Sequence, residues 1–245
     1  MPRVFLSNLD LGPVLEAVHR NGAAVVARAL ADPFRTRLER ELKTVPYEPA
    51  PAAVGPVRQE TDVFVLRDLE GFPALVELAH EYRVAVLAHA REIRGLATYA
   101  PNEIHLQRYR PGSLGITPHL DGKRYRRLVA FFTVRGSACL SVLRERAGEE
   151  LARFSIGPGS LALLRAPGLG GLRDGRQFHA IMPVGDRRQL FFPVDDDYSC
   201  RCGEVPLFGA PEDDGHFGFL CFLARRPWAA GGAACWAWLW ASAVR

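Results

Sequence analysis

The stretch IHLQRYRPGSLGITPHLDGKRYRRLVAFFTVRGSACLSVL, residues 104–143, decides the fold. It breaks into short runs of β-branched and aromatic residues, Ile104–Tyr109, Leu128–Val134 and Cys139–Leu143, separated by glycine and proline turns. The same texture continues through Leu151–Ile156, Ser160–Leu164, Phe178–Val184 and Gln189–Val194. Short strands at this spacing suit a β barrel or sandwich.

Upstream the texture is different. Leu11 to Arg20 carries apolar residues at helical spacing (Leu11, Val14, Leu15, Val18) and is broken by Asn21-Gly22. Ala23 to Ala29 reads as a buried strand. Asp32-Pro33 is a helix start, and Phe34, Leu38 and Leu42 mark one face of the helix that follows. Residues 46–58 hold four prolines and a glycine and read as a loop. A longer helix is expected from Pro73 to about Ile93. Helices first and strands afterwards predict an α+β domain with the helices packed on one sheet face. Residues 1–100 then support a β core over 101–197, and 198–245 form a Cys- and Trp-rich tail.

Composition narrows the class. The chain has 245 residues, 48% hydrophobic and 24% charged, with a net charge of +4. That excludes a wholly disordered chain, a collagen-like fibre and a multi-span membrane protein. Five cysteines (139, 200, 202, 221, 235) are an odd number, and four lie after residue 199, which is not the pattern of a small secreted disulfide framework. The N-terminal MPRVFLSNLDLG has no apolar run of signal-peptide length, so a cytoplasmic protein is expected. All four tryptophans fall in the last 18 residues, and Pro227 to Val244 carries no charge. This tail reads as a tail anchor, a docked apolar helix or a segment with no selected role. Its Gly-Gly and Ala-rich character makes it a poor spanning helix.

The chemistry centres on Thr117-Pro118-His119-Leu120-Asp121-Gly122. On a strand, residues i and i+2 share a face, so His119 and Asp121 can aim at one point. His179 lies in another expected strand. Two histidines and one carboxylate form a facial ligand set for Fe(II) that leaves coordination positions open. A lone His-x-Asp is a common turn cap, so its weight comes from the residues around it. Arg187 and Arg188 follow His179 and open the last expected strand, where a guanidinium can grip a carboxylate in bidentate fashion. Their side chains point to opposite faces, so only one can serve. Tyr109, in Gln107-Arg108-Tyr109, supplies a phenol that can bind the same carboxylate.

The ordered runs QRYRPGSLGITPHLD, LALLRAP, FHAIMP and RRQLFF resemble the Fe(II)/2-oxoglutarate-dependent dioxygenase superfamily, with an AlkB-like flavour. The resemblance covers about residues 102–194. It implies a double-stranded β-helix (jelly-roll) core. It implies His119, Asp121 and His179 as catalytic metal ligands, and Fe(II), 2-oxoglutarate and O2 as cofactor and co-substrates. Tyr109 matches the family's co-substrate tyrosine, and Gln107 stands where AlkB-like proteins often have Asn. The strand register selects Arg187 for the far carboxylate of 2-oxoglutarate, whereas spacing from the distal histidine selects Arg188. The implied reaction is hydroxylation of an organic substrate with release of succinate and CO2, or demethylation when the hydroxylated carbon sits next to nitrogen.

Between Arg108 and Arg135 stand seven Lys/Arg (108, 110, 123, 124, 126, 127, 135) against one acid, Asp121. That density suits nucleic acid or another anionic substrate, or simply a solvated surface. AlkB-like nucleic-acid enzymes carry a substrate lid before the core. The residues in that position here, 46–58 and Glu60–Leu66, show nothing diagnostic, which leaves a small-molecule hydroxylase as the rival. A catalytically silent jelly-roll binding module or a cupin-like metal enzyme would also fit a strand-rich core of this kind. His19, His80 and His89 read as surface or packing residues, whereas His105 shares a strand face with Tyr109. Cys200-x-Cys202 with His216 and Cys221 lacks zinc-ligand spacing, so free thiols are expected.

Overall fold

The computed structural model describes residues 3–66, 69–183 and 217–225. In chain order the elements are α1 (Gly12–Asn21), β1 (Ala23–Val26), α2 (Asp32–Leu42), the short strands β2 (Glu48–Pro49), β3 (Ala53–Val54) and β4 (Val57–Arg58), then β5 (Asp62–Leu66) and α3 (Pro73–Leu87). Eight strands follow: β6 (Glu103–Tyr109), β7 (Ile116–His119), β8 (Tyr125–Arg135), β9 (Ala138–Leu143), β10 (Glu150–Ile156), β11 (Leu161–Arg165), β12 (Phe178–Pro183) and β13 (Phe217–Arg225).

The eight divide between two antiparallel sheets. The large sheet runs β1-β11-β8-β13-β6-β5-β2 and the small one β10-β9-β12-β7. From β6 onward, consecutive strands mostly change sheet. Gly136, at φ +71 in a conformation a side chain would strain, turns the chain from β8 in the large sheet into β9 in the small one. The core is a double-stranded β-helix.

The N-terminal helices cover the outer face of the large sheet. Leu15 and Val18 of α1, Phe34 and Leu38 of α2, and Leu75, Leu78 and Tyr82 of α3 are buried there with Leu106, Leu128, Phe132, Leu163 and Phe222 of the strands. Tyr82 and Phe222 each meet Phe132 edge-on at 5.4 Å between ring centroids, and the Tyr99 hydroxyl donates to that of Tyr82 at 3.2 Å. Gly22, at φ +89, caps α1 with its N–H on Val18 O and lets the chain turn straight into β1. Pro73 opens α3. Glu41 of α2 accepts from the next two backbone N–H groups, Ala74 at 2.7 Å and Leu75 at 3.0 Å, which a helix start would otherwise leave unpaired. One contact thus caps α3 and docks it on α2.

Residues 46–58, expected as a loop, hold the short strands β2, β3 and β4, and two further differences from the expected layout stand out. The long helix ends at Leu87 rather than near Ile93, where the chain enters a turn in which His89 meets Glu92 at 3.0 Å. The place between β6 and β8 is taken by Phe217–Arg225, from the stretch expected to be a tail. The run FGFLCFLAR has the continuous apolar character of a strand covered on both faces, and its even residues Leu220 and Phe222 face the helices. The expected strand Gln189–Val194 lies outside the described residues, as do the Trp-rich segment 226–245, Cys200, Cys202, Cys235 and His216. Cys139 and Cys221 are buried. Among the described residues, no helix is long and apolar enough to cross a membrane.

Candidate metal centre

The space between the two sheets is lined by the other strand faces: Tyr109, Val129, Phe131 and Cys221 from the large sheet, and Leu140, Val142 and Ile181 from the small one. At one end of it β7 ends at His119, and β12 pairs with β7 so that His179 stands opposite His119. Asp121 follows two residues after the end of β7. The ligand atoms of His119, Asp121 and His179 all lie within 4.8 Å of one another. His179 Nε2 is 3.7 Å from Asp121 Oδ2, and His119 Nε2 is 4.0 Å from Asp121 Oδ1. Register pairing between β7 and β12 thus brings His179 to His119, and the chain just beyond β7 brings Asp121 to both.

Orientation of the rings is set on their far side. His119 Nδ1 lies 3.0 Å from Thr117 O, and His179 Nδ1 lies 3.4 Å from Gln177 O. Each Nδ1–H donates to a carbonyl two residues back, which leaves both Nε2 lone pairs facing the Asp121 carboxylate. Burial, and next the neighbouring His179, lower His119 to about 4, against a smaller opposing pull from Asp121. A neutral imidazole is the form that binds a metal.

Two arginines that the sequence reading did not single out brace this group. Arg146 donates to Pro118 O and lies 5.3 Å over the Phe178 ring, so it ties together the residues preceding both histidines. Arg176 donates to Asp121 O and holds Asp174 through two bonds, Nε–Oδ1 at 2.9 Å and Nη2–Oδ2 at 2.8 Å. That pairing keeps the Asp174 carboxyl down at about 2. The place of Arg176 three residues before His179 was the available signal, but a lone arginine in a loop carries no pattern.

The inner face of β6 is polar along its length. Glu103, His105, Gln107 and Tyr109 alternate onto it. The Tyr109 hydroxyl donates to Gln107 Oε1 at 3.0 Å, and burial pushes the phenol far above its usual range, so it stays a neutral donor. Glu103 Oε1 accepts from Tyr125 at 2.9 Å and lies 2.7 Å from His105 Nε2. Glu103 was not picked out from sequence, although its period-2 relation to His105 and Tyr109 made it legible. Burial, helped by the charges of Asp121 and Glu103, pushes the Cys221 thiol well up, so it is a packing group. Arg187 and Arg188 lie outside the described residues.

The basic run 108–135 disperses. Arg108 pairs with buried Asp62 at 2.9 Å, and Arg110 lies 3.6 Å from the same carboxylate. Arg135 lies 3.9 Å from Glu39, and Arg124 lies 4.7 Å over the Tyr125 ring. Lys123, Arg126 and Arg127 line a separate cleft.

No protein-family model matches the chain, and no curated protein matches it. Solved structures do. A prolyl hydroxylase from Trichoplax adhaerens, in complex with a hypoxia inducible factor oxygen degradation domain peptide fragment, aligns at a TM-score of 0.55 and 12% identity over 86% of this chain and 87% of that one. OsALKBH1 aligns at a TM-score of 0.51 and 12% identity over 82% of this chain and 97% of that one. The shared property is the fold. The likeness does not single out the AlkB-like branch, because the prolyl hydroxylase superimposes at least as well.

Proposed function

We propose that this chain is an Fe(II)- and 2-oxoglutarate-dependent dioxygenase that hydroxylates an organic substrate. The observation that carries the reading is the meeting of His119, Asp121 and His179 at one end of a double-stranded β-helix, with both Nε2 atoms turned to the carboxylate. The donor set fits Fe(II): two neutral imidazoles and one carboxylate, with the far ring nitrogens held by carbonyls. Bound there, the metal supplies activation of O2, coupled to conversion of 2-oxoglutarate into succinate and CO2, and one oxygen atom goes into a substrate C–H bond.

The chain's own residues provide the frame. His119 and His179 each present one lone pair. Asp121 brings the negative charge that offsets a divalent cation, and Arg176 holds its backbone in place. Tyr109 and Gln107 are the polar partners we assign to the co-substrate, on the inner face of β6. Arg187, or else Arg188, is the guanidinium we assign to its far carboxylate. His179 and Tyr109 are buried between the sheets, and the loss of water there strengthens the charge contacts around them.

The test is anaerobic titration of the metal-free protein with Fe(II) and then 2-oxoglutarate, following the visible iron-to-oxoacid charge-transfer band. A band that His179→Ala abolishes supports the reading. Weaker 2-oxoglutarate binding in Arg187→Ala assigns that arginine, and an unchanged affinity moves the assignment to Arg188. Folded protein that binds Fe(II) and gives no band sinks the reading and favours a cupin-like or silent binding module.

A further inference from the structure

Beside the metal centre lies an open cleft of about 780 Å³ between the turn after α3, the start of β8 and the loop after β11. Arg94, Lys123, Arg126, Arg127 and Arg173 line it, and Asp174 is the one acid among the described lining residues. Arg176 already holds Asp174 through two bonds, so that carboxylate does not neutralise the wall. The wall presents five cations drawn from three separate parts of the chain.

The cleft is built for them. The loop after β11 carries three glycines at positive φ, Gly168 at +94, Gly170 at +61 and Gly171 at +81. A Cβ on Gly168 would collide with Arg127 Nη1 and fall 3.1 Å from Arg126 Nη2, and one on Gly171 would fall 3.2 Å from Arg94 Cδ. The glycines leave room for guanidinium groups to lie close against the loop. Arg127 itself has φ +71, the only described non-glycine residue with positive φ. It is held there by its N–H on Pro167 O at 3.1 Å, its carbonyl accepting from Ala166 at 2.9 Å, and its Nε on Gly95 O at 2.9 Å. The loop's own N–H groups point inward: Gly168 donates to Leu172 O, Gly170 to Arg94 O and Gly171 to Gly168 O. An anion in the cleft therefore meets side-chain cations, not a backbone nest.

We propose that this cleft binds a multiply phosphorylated anion alongside the metal centre. Near neutral pH a single phosphate carries at most two charges and is too small to span cations spread along a wall, whereas a run of phosphates or phosphodiesters can. Guanidinium forks match phosphate oxygens in bidentate fashion. The described lining holds no aromatic ring, so the cleft recognises the phosphates and not a base. Arg176 ties the cleft to the centre, because it holds Asp174 on one side and donates to Asp121 O on the other. The inference rests on the charge and shape of the cleft and not on the proposed oxygenase chemistry.

The test uses the full metal-free chain and fluorescence anisotropy, so it succeeds or fails independently of the iron titration. The probes are a short labelled oligothymidine, labelled ATP, and inorganic tripolyphosphate as competitor, with labelled polyglutamate as the carboxylate control. Binding of the strand should fall by about 50-fold between about 50 and 200 mM salt, the slope expected when four phosphates are neutralised on a single strand. The exposed pair Lys123→Glu/Arg173→Glu should weaken a phosphate probe by about tenfold or more, with Arg94→Glu as a second variant if the pair misfolds. Tighter binding of the strand than of ATP identifies a phosphodiester chain as the source, and the reverse order identifies a free polyphosphate. The proposal is overturned by any of three results: no binding of any phosphate probe at the lower salt, binding that natively folded variants leave unchanged, or polyglutamate binding as tightly as the phosphates.

Discussion

The two faces of the large sheet are made from the same strands and do opposite things. On β6, Ile104 and Leu106 face the helices, while Glu103, His105, Gln107 and Tyr109 face the space between the sheets. On β8, Phe132 joins the aromatic cluster under α3, while Phe131 lies 6.0 Å from the His179 ring. The outer face is dry and apolar. The inner face mixes apolar packing with a chain of hydrogen-bonded polar groups. Alternation along a strand lets one backbone serve both, so stability and chemistry are separable by residue parity.

That separation can be broken or sharpened by substitution. The largest effect is expected on the outer face. Phe132→Ala removes the ring that Tyr82 and Phe222 pack against, and should cost about 3–5 kcal/mol, read as a fall in the urea midpoint. The variant that still folds should bind metal as the parent does; a lost metal site would show that the faces are coupled. On the inner face, His179→Ala should weaken Fe(II) binding by at least about 100-fold, more than loss of an outer-shell partner does, in a calorimetric titration. Its circular dichroism should stay native, and collapse of the fold instead would assign His179 a packing role.

A smaller effect belongs to the brace. Arg176→Gln keeps a polar side chain but loses the double grip on Asp174 and the bond to Asp121 O. We expect about tenfold weaker Fe(II) binding, and no change would remove Arg176 from the site's support. The smallest effect concerns Asp174, whose side chain is 40% exposed. Its folded pKa of about 2 lies below the ordinary value of 3.8, so the pair adds stability above pH 3.8 that is lost as pH falls toward 2. Screening at that exposure limits the contribution to under about 1 kcal/mol. Asp174→Asn should therefore lower the neutral-pH denaturation midpoint slightly and flatten its acid slope, and an unchanged slope would show the pair to be neutral.

How much of this was legible in the sequence follows from range. His119 and Asp121 were legible because their spacing is local, although Asp121 lies beyond the end of β7, and His179 because it sits in a strand of its own. Arg146 and Arg176 were not, because each acts on a carbonyl or ring far along the chain and leaves no periodic mark. The basic run 108–135 looked like one surface, but Arg108 and Arg110 are drawn away to Asp62. The cleft's other cations, Arg94 and Arg173, lie well outside that run.

Local spacing was enough to give the faces of α1 and α2, most strand positions in the core and the three candidate ligands, whereas the expected order of helices before strands did not hold, because β1, β2 and β5 precede α3 and join the large sheet. The former depend on spacing between near neighbours, which the covalent chain sets. Packing between elements set the rest: Phe217–Arg225 lies between β6 and β8, Glu41 caps α3, and cations from three segments meet in one cleft. Those contacts depend on which apolar faces bury each other, and that choice is made between elements rather than within them.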